Sequence, residues 1–296
     1  MSIERNKADD IVRGFRQRKA ATLQWNFLIP VVILSLLVLT AIFADLIAPY
    51  DPIETSLTAR LLPPSFTAGG NNAYFLGTDG LGRDILSRVI FGTRVSLSVS
   101  LLVIFITASI GTILGIIAGY LGGRTETLLM RVTDVSLSFP AILIALLLAV
   151  VLGPGFWTVI LALSILGWAP YARLIRGEAL RLRQADFVSQ ARIIGSSSMR
   201  IMTRHIFPNV INPLIIIATM QVGLVILTEA ALSYLGAGIP PPTASWGNMV
   251  NDGRNVIDTA WWISFFPGLA IGLVVLSGNF LGDWLRDKLD PRLRQL

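Results

Sequence analysis

Apolar residues in this chain come in long blocks divided by short polar or basic stretches. A bilayer core about 30 Å thick takes roughly 20 apolar residues per helix. Six blocks have that character: Phe27–Ile47, Val95–Tyr120, Val135–Leu152, Trp157–Leu174, Ile211–Leu235 and Ile263–Leu281. They predict an all-α polytopic membrane protein with six transmembrane helices. The first block is longer than the apolar core of a secretory signal, and no A-x-A-like cleavage site follows, so it reads as a retained anchor.

Lysine and arginine assign the sides, because cytoplasmic connections carry the excess. With the N-terminus inside, the cytoplasmic segments hold six in the N-terminal tail, two at Arg124 and Arg131, seven from Arg173 to Arg204, and four from Arg286 onward. The opposite side holds only Arg60, Arg83, Arg88, Arg94 and Arg254. The chain therefore divides into a cytoplasmic tail (1–26), a first span (27–47), an extracytoplasmic segment (48–94), a core with spans two to six (95–285), and a second cytoplasmic tail (286–296).

Composition agrees. Hydrophobic residues make up 53% and charged residues 14% of the 296, against about a quarter charged in soluble domains. The net charge of +6 is explained by topology and needs no nucleic acid. There is no cysteine, and His205 is the one histidine, so neither a thiolate nor a multi-histidine metal site is expected.

One stretch does not fit a simple loop: FVSQARIIGSSSMRIMTRHIFPN, Phe187–Asn209, between spans four and five. Helical spacing groups Phe187, Ala191 and Ile194 in one apolar stripe and Met199, Met202 and Ile206 in another. Arg200 and Arg204 lie one turn apart on the remaining surface. Gly195 with Ser196–Ser198 would end one helix and cap the next, and Pro208 would stop the second before span five. Periodicity leaves two uses open. The pair can lie on lipid headgroups with its basic residues toward phosphate, or insert an apolar ridge into a groove on a cytoplasmic partner.

The spacing Ala191, Gly195, Pro208 resembles the cytoplasmic EAA loop of ABC importer permeases, E-A-A-x3-G-x9-I-x-L-P. Ser189 stands at the glutamate of that pattern, Gln190 at its first alanine and His205 at its isoleucine. LGTDGLGRDILSRVIFGTRVSL (Leu76–Leu97), ALSYLGAGIPPPTASWGNMV (Ala231–Val250) and NFLGDWLRDKLDPRLR (Asn279–Arg294) resemble permeases of the dipeptide, oligopeptide and nickel importer group, most of all the second of their two permeases. The resemblance runs from about Phe27 to the C-terminus. It implies a type I ABC importer permease architecture in a bacterial inner membrane. It also implies a second permease, two ATP-binding subunits and an extracytoplasmic substrate-binding protein as partners.

Under that resemblance the segment 184–209 is an ATPase-coupling loop, carried by Phe187, Ser189, Gln190, Ala191, Arg192, Gly195, Arg200, Arg204, His205 and Pro208. ATP and magnesium would sit on the partner subunits. A P-loop needs Gly-Lys before Ser or Thr, and none of Lys7, Lys19 and Lys288 follows a glycine. The chain itself is expected to hold no cofactor and to catalyse nothing. An ion-gradient-driven secondary transporter is the alternative, but such proteins show inverted repeats and midplane acids, and no convincing repeat is visible. An intramembrane enzyme lacks its motifs: there is no H-E-x-x-H and no G-x-S-x-G.

Several single residues stand out. Glu229, in span five, is either a contact in the pathway or at the permease interface, or an acid bonded to Thr228 or backbone. Asp134 is three residues from Arg131 and pairs with it most simply, with a gating role as the other reading. Pro140, Pro170, Pro213 and Pro267 mark bends in or near spans. Gly111, Gly115 and Gly119 form a ridge for close helix packing. An amphipathic helix at Asp84–Phe91 is expected on the outer membrane surface or against the binding protein, a docking role that suits the polar loop Ile239–Trp262 better. Trp246, Trp261 and Trp262 are expected near headgroup depth.

Overall fold

A computed structural model describes residues 27–289. The N-terminal tail 1–26 and residues 290–296 of the C-terminal tail lie outside the described residues. Among the described residues there is no strand, only an isolated bridge between Thr78 and Asp84. The helices are α1 (Phe27–Ile42), a single turn α2 (Ala44–Ile47), α3 (Ile85–Leu121), α4 (Gly123–Ser138), α5 (Ala141–Leu152), α6 (Phe156–Gly167) and α7 (Ala169–Arg183). There follow α8 (Asp186–Ile193), α9 (Ser198–Ile201), α10 (Phe207–Tyr234), α11 (Trp246–Gly253) and α12 (Trp262–Leu289).

Four continuous helices are long and apolar enough to cross a bilayer: α3, the joined α6–α7, the run Ser198–Tyr234 and α12. The pair α4–α5, bent by 81°, makes a fifth if its two helices form one broken span, and α1 is a shorter apolar helix. The bend sits at Phe139–Pro140, where proline biases the preceding residue to extended backbone; Phe139 has ψ 134°.

α3 is the spine. A Cβ on Gly111 would lie 2.5 Å from the Trp168 carbonyl oxygen, one on Gly115 2.8 Å from that of Ala172, and one on Gly119 2.6 Å from that of Arg176. The glycine ridge therefore lets α3 and α7 touch backbone to backbone. Between lipid-embedded helices, where no hydrophobic drive separates protein from solvent, such close van der Waals packing is the main source of association. α1 packs Leu34, Leu37 and Ala41 against a buried cluster shared by α3, α10, α11 and α12.

The helix expected at Asp84–Phe91 is not a separate surface element. It forms the first two turns of α3, with Ile85, Arg88 and Ile90 buried. Asp84 caps it, its Oδ2 accepting the Ser87 N–H at 2.7 Å. Tryptophan also departs from expectation. Trp246 donates its Nε1–H to the Val89 carbonyl at 3.1 Å and Trp262 to that of Thr78 at 3.0 Å. With their polar atoms satisfied inside, both rings are buried, and of the three only Trp261 is exposed.

Candidate functional site

The segment after α7 folds as a helical hairpin. α8 ends in a Schellman arrangement: the Ser196 N–H donates to the Ala191 carbonyl at 3.0 Å and the Gly195 N–H to that of Arg192 at 2.9 Å. Gly195 takes φ +86°, a left-handed conformation that costs an L-residue energy and glycine nothing. Ser197 then caps α9, its hydroxyl oxygen accepting the Arg200 N–H. Serines after a glycine thus reverse the chain within four residues.

Pro208 does not stop the second helix. Met202–Ile206 widens into a π turn, closed by the Phe207 N–H on the Met202 carbonyl, and the helix continues through α10 to Tyr234. A proline ring clashes with the carbonyl four residues back in a tight α turn; the wider turn before it relieves that conflict. The hairpin is therefore continuous with a membrane span.

The buried face differs from the two stripes drawn from spacing. Val188, Ala191, Ile201 and Ile206 pack with Ile116 and Tyr120 of α3, Ile175, Ala179 and Leu182 of α7, and Val210 of α10. The interval from Ile201 to Ile206 is five residues, set by the π turn, which a 3.6-residue period misses. Phe187, Ile194 and Met199, assigned to the stripes, instead point outward. Exposure is 84% at Ile193, 82% at Ile194 and 67% at Met199. Ser189, Gln190, Arg192, Gly195, Arg200, Arg204 and Pro208 are exposed as well. The Arg192 guanidinium sits over the Tyr120 ring at 5.2 Å, and the Phe187 and His205 rings are 6.4 Å apart. One face is thus rooted in three helices, while an apolar tip rimmed by arginines stands free.

The comparisons fit this geometry. The family model for the binding-protein-dependent transport system inner membrane component matches residues 111–295, and that for the N-terminal TM domain of oligopeptide transport permease C matches residues 8–64. The chain belongs to the first of these families. The permease is 39% identical to the dipeptide transport system permease protein DppC of Haemophilus influenzae, covering 95% of this chain and 93% of that protein. It is 42% identical to the di/tripeptide permease DppC of Pseudomonas aeruginosa, over 88% and 86%. It is 38% identical to the oligopeptide permease OppC of Bacillus subtilis, over 97% and 90%. A chain of the methionine ABC transporter MetNI, solved in inward-facing conformations, shares the fold at a TM-score of 0.57 and 16% identity, covering 67% of this chain and 94% of that one. The secondary-transporter alternative has no support among these relatives.

Two other candidates of the permease lie apart from the hairpin. Glu229 is 1% exposed and accepts the Ser233 hydroxyl at 2.8 Å. Among the described residues its other oxygen accepts no hydrogen bond, and the buried Ser96 hydroxyl makes none. Thr228, one of the partners the sequence left open, bonds the Leu224 carbonyl instead, because its hydroxyl reaches back along its own helix at 2.7 Å. Asp134 pairs with Arg173 at 2.6 Å rather than with Arg131. α4 lies along α7, so the cross-helix guanidinium reaches it, and Glu126 pairs with Arg176 on the same side.

A polar cluster that sequence reasoning missed holds the other end of the permease. Arg83 and Arg88 share Asp79 Oδ2 at 2.6 and 2.7 Å and Asp252 Oδ2 at 3.2 and 3.3 Å. Asp79 Oδ1 also accepts the N–H groups of Leu81 and Arg83 at 2.8 and 3.0 Å. Two guanidinium groups against two carboxylates make the cluster neutral, which is what burial of such groups requires. Burial and the Asp79 charge push the Asp252 carboxyl above its usual range, against the lowering effect of Arg83. The alternation of Asp and Arg in LGTDGLGRDILSR was the visible signal; its partner Asp252 lies 164 residues beyond Arg88.

Proposed function

We propose that the permease forms one half of the membrane pathway of an ATP-driven importer for peptides or a similar small solute. Its hairpin, 184–209, docks in a cleft of an ATP-binding subunit. The observation that carries this reading is the free apolar tip (Ile193, Ile194, Met199) on a hairpin whose other face is rooted in α3, α7 and α10. A load applied at the tip passes to three spans at once, because packed side chains transmit displacement instead of absorbing it. Closure of ATP-binding subunits then turns the spans as a rigid body between inward- and outward-open states.

Peptide as the solute class rests on the dipeptide, di/tripeptide and oligopeptide transport named for the relatives. A second permease completes the pathway, a binding protein delivers solute, and ATP with magnesium stays on the ATP-binding subunits. The basic hairpin side faces the cytoplasm, as the lysine and arginine distribution supports, and both termini share it.

The test is purification of the tagged permease in mild detergent, with identification of each co-purifying chain, followed by reconstitution. Recovery of a P-loop subunit and a second permease, with ATP-dependent uptake of a labelled dipeptide, is expected. Recovery of the chain alone, active without ATP, would overturn the reading.

A further inference from the structure

At the hairpin end, α7, α10 and α12 border an open cavity of about 630 Å³. Its lining is unlike the lipid-facing surface. Arg286, Arg181, Glu178, Asn209 and Asn212 reach it, over an apolar floor that includes Ile217 and Met220. We infer that this cavity is a binding site for a small peptide carrying a free terminal carboxylate, held at the inner mouth before release. The inference rests on the importer reading of the preceding section and names a contact site for its solute.

Charge supports it. Glu178 and Arg181 neutralise each other through bonds at 3.1 and 2.7 Å. Arg286 makes no ion pair among the described residues. Among the described residues the cavity lining therefore carries one positive charge more than negative, on a planar fork that matches a carboxylate. Hydrogen bonding supports it as well. Pro213 lies inside α10 and has no N–H, so the Asn209 carbonyl lacks its helical donor. That oxygen and the Glu178 carboxylate are acceptors for a peptide ammonium, and the Asn212 amide serves the peptide bond. The apolar floor takes side chains without distinguishing them, as a site for varied peptides requires.

The chain has no cysteine, so Met220→Cys, at the cavity floor, gives it a single reporter thiol. Its rate of labelling by a maleimide would be measured in the assembled transporter, with the other subunits cysteine-free, as dialanine or dialanine amide is added on the hairpin side. Dialanine is expected to slow labelling saturably, since protection follows 1 + [L]/Kd and reaches about threefold at twice Kd. Dialanine amide should give less than half that protection. Arg286→Gln should remove the dialanine effect and Arg286→Lys keep part of it. Equal protection by the amide, or none by either, would overturn the site. ATP-dependent uptake by the Met220→Cys transporter, measured in parallel, separates the two failures: uptake without protection rejects the site alone, and uptake independent of ATP rejects the importer reading.

Discussion

The Arg88 guanidinium donates to Asp79 Oδ2 at 2.7 Å, with both side chains 2% exposed. This pair anchors the external segment to α3, and Asp252 extends the anchor to α11. Removing one member leaves an uncompensated buried charge, which costs about 3–5 kcal/mol. Asp79→Ala is expected to lower the thermal midpoint of the detergent-solubilised permease sharply. Asp252→Ala, at the more exposed carboxylate, should cost less than half as much. Equal losses would contradict the assigned roles.

Gly195 is the residue on which the hairpin reversal depends. Alanine there meets no steric neighbour, so its cost is the left-handed backbone alone, about 1–2 kcal/mol. Proline cannot adopt φ +86° at all. Gly195→Pro should leave ATP hydrolysis running while uptake falls by at least about tenfold, a change of about 1.4 kcal/mol in coupling. Gly195→Ala should retain most uptake. Paired hydrolysis and uptake assays in proteoliposomes check this, and normal uptake by Gly195→Pro would remove the coupling role.

Gly115 tests the α3–α7 contact. A Cβ there would lie 2.8 Å from the Ala172 carbonyl oxygen and 2.9 Å from Ile175 Cβ, whereas one on Gly272 of α12 meets nothing within 4 Å. Gly115→Val should destabilise by about 1–3 kcal/mol through overpacking. Gly272→Ala should be neutral or stabilising by up to about 1 kcal/mol, from helix propensity. Thermal unfolding of the two variants side by side decides the matter.

Glu229 is held inside the permease by Ser233. Glu229→Gln keeps a carbonyl oxygen for that hydroxyl, so uptake should stay within about threefold of wild type, a difference under about 1 kcal/mol. Glu229→Leu strips the partner from a buried hydroxyl and should cost about 1–3 kcal/mol in stability. A large loss of uptake in Glu229→Gln with normal stability would instead give the carboxylate a part in transport.

Much of this was legible in the sequence because lipid imposes a simple rule, long apolar runs with basic flanks on one side. The glycine ridge was legible for the same kind of reason, since four-residue spacing of glycines has few other uses in a span. The hairpin reversal was readable from Gly195 and its serines. Its buried face was not, because a π turn at Met202–Ile206 shifts the period and sends Met199 outward. α11 was missed inside an apparently polar loop, though Ser245 accepting the Asn248 N–H is an ordinary cap signal. The ion pairs of Asp134 and Asp79 were misread or missed because their partners come from distant segments. Local spacing favours neighbours such as Arg131, and only packing of α4 on α7 brings Arg173 closer.

The central claim is that the free tip of the hairpin lies against an ATP-binding subunit. Because the chain has no cysteine, Ile194→Cys places one thiol at that tip, and Val150→Cys places one on the equally exposed apolar face of α5. The decisive measurement is thiol-to-amine cross-linking in the assembled transporter, with each adduct identified by mass. An adduct between Ile194→Cys and the P-loop subunit, absent from Val150→Cys, is the predicted result. No such adduct from Ile194→Cys, or equal yields from both positions, would contradict the account.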